Sequence, residues 1–298
     1  MKYKAPLSHL LNPGHSACAG CGMIVAARLV LQAAGQNTIA TNATGCSEVT
    51  TTKYPTTSFK IPWIHSLFEN NSCLASGICA ALRYKGIKDK INVLALGGDG
   101  ATFDIGVGQI SGMFERGDDV LYVCYDNEAY ENTGYQGSGA TRLGASTTTT
   151  PAGKESTGFA QPKKDMIKFA LAHNIPYVTT STTYLTTDII AKVKKALTFK
   201  GPKYLQIYTP CVPGWGIEPN MTVKVSELAV KTGLYPMVEY VNGQLSKVNK
   251  ISKPVPVEEF LKPQKRFKHL FQTEEGKKVI AKLQQIADDN IEKYGLVK

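Results

Sequence analysis

The chain has 298 residues, 43% of them apolar, and a formal net charge of +10. This length and composition predict a folded protein with a sizeable core and exclude a disordered chain. The chain does not open on a charged segment followed by an apolar one, and no apolar run reaches the ~20 residues of a membrane span. We therefore expect a cytoplasmic protein without a membrane segment. The sequence also lacks an aromatic-basic stripe and zinc-finger spacing, so we expect no nucleic-acid partner.

Helical and extended patterns alternate along the chain. The predicted helices cover residues 22–35, 72–84, 104–115, 164–173 and 187–197. The predicted strands cover residues 37–41, 91–96, 120–125, 176–180 and 204–209. These assignments follow from apolar residues at helical spacing and from short, partly β-branched apolar runs. The alternation predicts an α/β fold with a mainly parallel sheet and helices on both faces.

Two segments differ from this alternation. Residues 133–163 are rich in Gly, Ser and Thr and show no periodicity. Loops of that length without regular structure are usually functional or disordered, and we predict a functional loop. Residues 255–298 predict an extension that ends in a helix over 274–294 and contacts a neighbouring subunit. We therefore divide the chain into a domain over residues 1–254 and a C-terminal extension over residues 255–298.

Four of the seven cysteines lie in settings that suit a ligand. Cys18 and Cys21 form a C-x2-C pair, Cys46 follows a glycine after a predicted strand, and Cys211 lies in a Pro-Cys-x-Pro loop after another. In a chain without a secreted disulfide framework, such pairs favour metal binding or redox chemistry. Four cysteines can hold an iron-sulfur cluster or a structural Zn²⁺, and the spacing does not decide between them. We predict that the remaining three cysteines are small buried core residues. They are Cys73, Cys79 and Cys124.

A Gly-Asp-Gly turn follows the second predicted strand. Gly98, Asp99 and Gly100 thus lie at a carboxyl strand end, where open α/β sheets bind ligands. Asn127 and the carbonyl of Ala129 follow the next strand, so three oxygens are available for Mg²⁺. The amino end of the helix predicted from residue 104 adds backbone NH groups that favour a diphosphate. A Gly-Asp-Gly turn alone is common, but in this setting it predicts a metal-diphosphate site.

Several motifs resemble the beta (thiamine diphosphate-binding) subunits of pyruvate:ferredoxin oxidoreductases, or pyruvate synthases, in the 2-oxoacid:ferredoxin oxidoreductase family. The motifs are Cys18-Ala-Gly-Cys21, Gly45-Cys-Ser47, Pro62 to Asn70, Gly98 to Gly106, Tyr125 to Gln136, Thr141 to Pro151 and Val257 to Pro263. They extend over nearly the whole chain. The resemblance implies a three-layer thiamine diphosphate-binding fold of the diphosphate type. It also implies three cofactors, namely thiamine diphosphate, Mg²⁺ and a [4Fe-4S] cluster.

The resemblance implies roles for individual residues. The implied cluster ligands are Cys18, Cys21, Cys46 and Cys211. The implied Mg²⁺ ligands are Asp99, Asn127 and the carbonyl of Ala129. The residues implied to bind thiamine diphosphate are Gly45, Cys46, Ser47, Phe68, Gly98, Asp99, Gly100, Ala101, Asn127, Ala129, Asn132 and Thr133. Among these, Asn132 is implied to lie near the reacting carbon and is our one catalytic prediction.

The activity implied by the resemblance is the reversible oxidative decarboxylation of pyruvate with coenzyme A to acetyl-CoA and CO₂, with reduction of ferredoxin. The implied partners are an alpha (pyrimidine-binding) subunit, a gamma (coenzyme A) subunit and a delta (ferredoxin-like) subunit, or fusions of these. The resemblance also implies that the activating glutamate lies on a partner subunit, so we expect the chain alone to be inactive. The alternatives are the same chemistry on a branched-chain 2-oxoacid or oxalate, a non-redox thiamine diphosphate lyase with a structural zinc, and a non-enzymatic electron carrier.

Overall fold

Eight strands form one sheet in the computed structural model, which describes residues 9–297. The strands are β1 (Thr38–Ala43), β2 (Trp63–Ser66), β3 (Asn92–Gly98), β4 (Leu121–Asp126), β5 (Tyr177–Thr182), β6 (Lys203–Tyr208), β7 (Val238–Val241) and β8 (Gln244–Val248). Their spatial order is β2-β1-β3-β4-β6-β5-β7-β8. The first six are parallel, whereas β7 and β8 pair antiparallel at one edge. The predicted mainly parallel sheet is confirmed.

Helices cover both faces of this sheet. They are α1 (Gly22–Ala34), α2 (Cys46–Val49), α3 (Asn71–Tyr84), α4 (Val107–Glu115), α5 (Met166–Ala172), α6 (Thr186–Ala196), α7 (Val212–Trp215), α8 (Thr222–Lys231), α9 (Val257–Leu261) and α10 (Glu274–Tyr294). A π-helix covers Gly100–Ile105, and 3-10 turns cover Lys88–Lys90, Pro219–Met221 and Lys265–Phe271. Within residues 9–297, no helix is both long and apolar enough to cross a membrane.

Buried apolar side chains explain the three layers. On one face, Val30 of α1 and Val193 of α6 share a cluster with Leu205 of β6. On the other face, residues of α3, α4 and α5 cluster with the opposite side of the same strands. Because the parallel strands are covered on both sides, their sequences are nearly continuous apolar runs. These apolar runs are the pattern from which the strands were predicted.

The sequence analysis missed the elements with weak or irregular patterns. The strand β2 has only four residues, and two of them are exposed. The edge strand β8 is exposed at four of its five positions, so its sequence carries no buried stripe. The helix α8 was also missed, as were the short helices α2 and α7. The prediction for Cys73 was wrong, because it lies on the exposed side of α3, whereas Cys79 and Cys124 are buried as predicted.

The C-terminal extension packs against its own chain. Phe260, Phe267 and Leu283 belong to a buried cluster that also contains Tyr208 of β6 and Trp215 of α7. The predicted helix is confirmed as α10, which begins after Thr273, whose hydroxyl accepts the backbone NH of Gly276 at 3.0 Å. Contact with a neighbouring subunit stays a prediction. The first residues of the 1–254 domain, and with them the expected lack of a leader, lie outside the described residues, as does residue 298.

The long predicted loop is confirmed as a segment without helix or strand. No helix or strand lies between Asp126 and Met166. Backbone hydrogen bonds nevertheless connect distant parts of this loop. The Gly144 NH donates to the Phe159 carbonyl at 2.8 Å, and the Phe159 NH donates to the Ala145 carbonyl at 2.9 Å. The loop also contacts the end of β3, where the Ser138 hydroxyl donates to Asp99 Oδ2.

Candidate cofactor site

The carboxyl ends of β1, β3, β4 and β6 meet at one edge of the sheet. Between β1 and β3 the strand order reverses, since β2 lies beyond β1 while β4 lies beyond β3. In open α/β sheets, ligands bind at this kind of switch point. The loops that leave these strands carry Gly45, Asp99, Asn127 and Cys211. The parallel topology therefore collects most of the predicted site residues in one place.

Three oxygen-bearing groups converge after β3 and β4. One terminal atom of the Asn127 side-chain amide, its nitrogen or its oxygen depending on the amide orientation, lies 2.6 Å from Asp99 Oδ1 and 3.0 Å from the carbonyl oxygen of Ala129. With its nitrogen turned inward, the amide donates to both oxygens; with its oxygen turned inward, three oxygens face one another. Mg²⁺ holds octahedral oxygen ligands at 2.0–2.1 Å, which places neighbouring ligands about 2.9 Å apart. The two distances from Asn127 are close to the spacing between neighbouring ligands of a magnesium site.

Asp99 is held in place for such a role. Its side chain is buried, and the Ser138 hydroxyl donates to Oδ2 at 2.5 Å while the Asn127 backbone NH donates to Oδ1 at 3.3 Å. Burial raises the pKa of Asp99 well above its usual range, and the nearby Asp126 carboxylate adds to this rise. A cation beside the carboxylate would offset both effects.

The helix after Asp99 begins earlier than the sequence suggested. Its first turn is the π-helix Gly100–Ile105, so the prediction that the helix begins near residue 104 was wrong by about one turn. π-helical turns often occur at functional sites. The positive amino end of the helix consequently lies beside Asp99. Gly100 is required there, because a Cβ atom at this position would lie 2.4 Å from the Tyr130 ring.

A first cavity lies beside these groups. Its walls include nine of the predicted cofactor-binding residues, namely Gly45, Cys46, Ser47, Phe68, Gly98, Asp99, Gly100, Asn127 and Ala129. The Phe68 ring stacks on Tyr130 with centroids 5.7 Å apart. Two other predicted residues, Ala101 and Thr133, do not line this cavity. Ala101 is buried inside the π-helix. Thr133 is exposed, and its hydroxyl donates to Gln136 Oε1 at 2.6 Å. Their roles remain predictions.

The four predicted cluster ligands line a second cavity. Cys18, Cys21, Cys46 and Cys211 surround a space of about 230 Å³, together with Asn132. Cys21 and Cys211 immediately precede α1 and α7, and Cys46 opens α2. Backbone NH groups of Met23 and Ile24 face the Cys21 thiol, and that of Gly214 faces Cys211. Helix starts favour a thiolate in this way.

The four cysteine side chains are not arranged around a single metal position. Among residues 9–297, no three His, Cys, Asp or Glu side chains are grouped as the ligands of one metal ion. Burial raises the pKa of Cys46 to about 12, and it also raises the pKa of the Cys21 and Cys211 thiols. Without a cation these thiols keep their protons, so metal binding here must release protons.

Glu131 is a site residue that the sequence analysis did not single out. It lines both cavities, as do Met23, Cys46 and Asn127, and its Oε1 atom is buried without a hydrogen-bond partner among residues 9–297. Burial raises the pKa of Glu131 to about 7. A Cβ atom at Gly214 would lie 1.9 Å from Glu131 Oε2, so that glycine makes room for the carboxylate. In the sequence, Glu131 is one polar residue within a polar loop, and nothing local marks it as buried.

Known proteins resemble this chain over most of its length. Residues 43–207, more than half of the chain, match the thiamine pyrophosphate enzyme C-terminal TPP-binding domain. The chain is 51% identical to pyruvate synthase subunit PorB of Methanosarcina barkeri, over 99% of this chain and 100% of that one. It is 41% identical to ketoisovalerate oxidoreductase subunit VorB of Pyrococcus abyssi, over 93% and 90%.

A solved structure supports the fold. The 2-oxoglutarate:ferredoxin oxidoreductase from Magnetococcus marinus aligns with a TM-score of 0.57 at 24% identity, over 70% of this chain and 66% of that one. This likeness concerns the fold alone. The sequence identities, which extend over nearly the full length, carry the assignment. The chain therefore belongs to the PorB family of pyruvate synthase subunits, and it contains a thiamine pyrophosphate-binding domain.

Proposed function

We propose that this chain is the thiamine diphosphate- and cluster-binding subunit of a cytoplasmic enzyme that converts pyruvate and coenzyme A to acetyl-CoA and CO₂ while reducing ferredoxin. The observation that carries the proposal is the shared wall between the two cavities. Cys46, Asn127 and Glu131 line both the space beside the metal-diphosphate turn and the space between the cysteines. An organic cofactor and a redox centre bound there would be neighbours.

The first cavity fits the diphosphate end of thiamine diphosphate. Asp99, Asn127 and the Ala129 carbonyl would hold Mg²⁺, which would bind the diphosphate oxygens. The backbone NH groups at the start of the π-helix would bind the same anion. Thiamine diphosphate supplies an electron sink for decarboxylation when it is bound. This chain's residues anchor and orient it, and Asn132, at the neighbouring cavity, would lie toward the reacting end.

The second cavity fits an iron-sulfur cluster better than a single zinc ion. A structural zinc needs four sulfur atoms about 2.3 Å from one centre. Here the four cysteines line a space of about 230 Å³, which is larger than one zinc ion occupies. A [4Fe-4S] cluster bound by the four thiols would supply one-electron chemistry. We therefore favour the oxidoreductase over the zinc-containing lyase.

The surface around the first cavity supports the proposal that partner subunits complete the enzyme. Large apolar side chains are exposed on the elements that form the cavity, at 44% for Val49, 63% for Leu67 and 50% for Ile105. Large apolar side chains exposed beside a ligand site suit a surface that another protein covers. We assign this surface to the alpha subunit. The gamma and delta subunits would provide the coenzyme A site and the route to ferredoxin.

Pyruvate is the proposed substrate because the 51% identical relative from Methanosarcina barkeri is a pyruvate synthase subunit. A branched-chain 2-oxoacid is the second candidate, since the Pyrococcus abyssi ketoisovalerate oxidoreductase subunit is still 41% identical. Both candidates require the same cofactors. They differ in the side chain that the completed pocket must accommodate.

The test is to purify the assembled complex without oxygen and measure iron, acid-labile sulfide, zinc and thiamine diphosphate. We expect about four irons and one thiamine diphosphate per copy of this chain, beyond the irons of partner subunits. Ferredoxin reduction should depend on coenzyme A and proceed faster with pyruvate than with 2-ketoisovalerate. Zinc in place of iron would refute the redox proposal, and iron without thiamine diphosphate would reduce the chain to an electron carrier.

A further inference from the structure

The turn that carries two of the proposed Mg²⁺ ligands has an unfavourable backbone conformation. Glu128 lies between Asn127 and Ala129, and its φ of +63° is in the left-handed region that favours glycine. Its side chain is fully buried, with no exposed surface. A non-glycine residue holds this conformation only where surrounding contacts fix it. The contacts of Glu128 therefore determine how the two ligands are presented.

Two buried arginines from distant parts of the chain hold the Glu128 carboxylate. Arg266 Nη2 donates to Oε2 at 2.7 Å, and Arg142 Nη2 donates to Oε1 at 2.7 Å. Both guanidinium groups are nearly inaccessible to solvent, with side-chain exposures of 1% and 5%. Lys163 approaches Oε1 at 3.3 Å, and the Thr141 hydroxyl donates to the Glu128 carbonyl at 2.7 Å. The carboxylate is thus fixed on both of its oxygens.

Arg266 also supports the turn indirectly, through Trp215. Its guanidinium carbon lies 3.8 Å from the centroid of the Trp215 ring. The Trp215 indole NH in turn donates to the carbonyl oxygen of Asn127 at 2.8 Å. Arg266 Nε also donates to the Gln264 side chain at 2.9 Å, which fixes the plane of the guanidinium. One side chain of the C-terminal extension therefore supports both Asn127 and Glu128.

We propose that Arg266 is a positioning residue for the metal-diphosphate site. By binding Glu128 and stacking on Trp215, it fixes the turn that presents the Asn127 side chain and the Ala129 carbonyl. The inference rests on the proposed function, because it takes these two groups as Mg²⁺ ligands. It gives the C-terminal extension a role in cofactor binding, in addition to any contact with another subunit.

Arginine is the residue type that this position requires. Its planar group donates along several directions at once and stacks on an aromatic ring. A lysine can keep an ion pair with Glu128, but it cannot also stack flat on Trp215 and donate to Gln264. Arg266→Lys should therefore retain part of the function, whereas Arg266→Met should lose the contacts to Glu128 and Gln264.

The experiment uses the complex, purified without oxygen and stripped of Mg²⁺ and thiamine diphosphate with a chelator. Mg²⁺ is added back in steps at constant thiamine diphosphate, and the cofactor retained after gel filtration is measured. Supporting groups behind metal ligands typically contribute 10- to 100-fold to metal affinity. We expect Arg266→Met to need about 10- to 100-fold more Mg²⁺ for half-maximal retention, and Arg266→Lys to lie between it and the unmodified protein.

The matched control is Leu283→Ala. Leu283 is buried on α10 in the same C-terminal extension and does not contact the turn through hydrogen bonds or ion pairs. It should lower Tm without changing the Mg²⁺ requirement. An unchanged Mg²⁺ requirement in Arg266→Lys and Arg266→Met would overturn the inference, as would an equal shift in Leu283→Ala. If Arg266→Met does not fold, Arg266→Lys decides. If the unmodified complex retains no thiamine diphosphate at any Mg²⁺ concentration, the proposed function itself fails.

Discussion

The substitution Glu128→Gln removes the negative charge at the centre of the most buried ion-pair network in the described chain. Burial alone would raise the pKa of Glu128, but Arg142, Lys163 and Arg266 outweigh burial and hold that pKa well below its usual range. The carboxylate is therefore ionised in the folded protein at neutral pH. A neutral amide in its place would leave buried cations without their anionic partner.

The structure allows the size of this effect to be estimated. Lys163 keeps a second carboxylate, Asp126, at 2.6 Å, and Arg266 keeps its bond to Gln264. Arg142 loses its only salt-bridge partner among residues 9–297, and its Nε atom is already unsatisfied. Removing one member of a buried ion pair costs about 3 to 5 kcal/mol of unfolding free energy. For a chain of this size this corresponds to a decrease in Tm of roughly 5 to 8 °C.

Thermal unfolding of the full-length chain, followed by circular dichroism at neutral pH, measures the effect. The control is Glu227→Gln, because Glu227 pairs with Lys224 and Lys231 along one partly exposed helix face at 2.9 and 2.6 Å. Such surface pairs contribute about 0 to 1 kcal/mol each. If Glu128→Gln unfolded at the same temperature as Glu227→Gln, the charge of Glu128 would not stabilise the fold, and our reasoning about the network would be refuted.

Three further outcomes are expected. Asp99→Asn should raise the Mg²⁺ needed to retain thiamine diphosphate by about 10-fold or more, whereas Asp118→Asn, at a buried aspartate paired with Arg83, should not. Cys211→Ser should lower iron and sulfide per chain, with the exposed Cys73→Ser as the unaffected control; equal iron in both would contradict the ligand assignment. The ammonium groups of Lys203 and Lys88 outweigh burial and hold the pKa of Asp119 below its ordinary 3.8. This depressed pKa stabilises the fold above pH 3.8, and the stabilisation is lost as pH falls through the folded pKa. Asp119→Asn should therefore lower Tm at neutral pH but not in strong acid, and a pH-independent difference would exclude this explanation.

Several features of the protein were readable from sequence because they depend on neighbours along the chain. Strands buried on both faces show apolar runs, and helices show their spacing, so the alternating order and the parallel sheet were predicted correctly. The Gly-Asp-Gly turn and Asn127 lie at the ends of adjacent strands, and parallel strands end together. Their convergence around Ala129 therefore followed from the predicted topology.

Other features were decided only by tertiary structure. The edge strands β2 and β8 have exposed residues, so pairing with the rest of the sheet, rather than their own pattern, makes them strands. The buried Glu131 carboxylate fits where it lies because Gly214, far along the chain, has no side chain. Arg266 lies between Lys265 and Lys268 in a basic stretch of the sequence, yet it is buried against Glu128. A charged side chain looks the same in sequence whether it faces water or a buried partner. Only the path of the chain decides which of the two it meets.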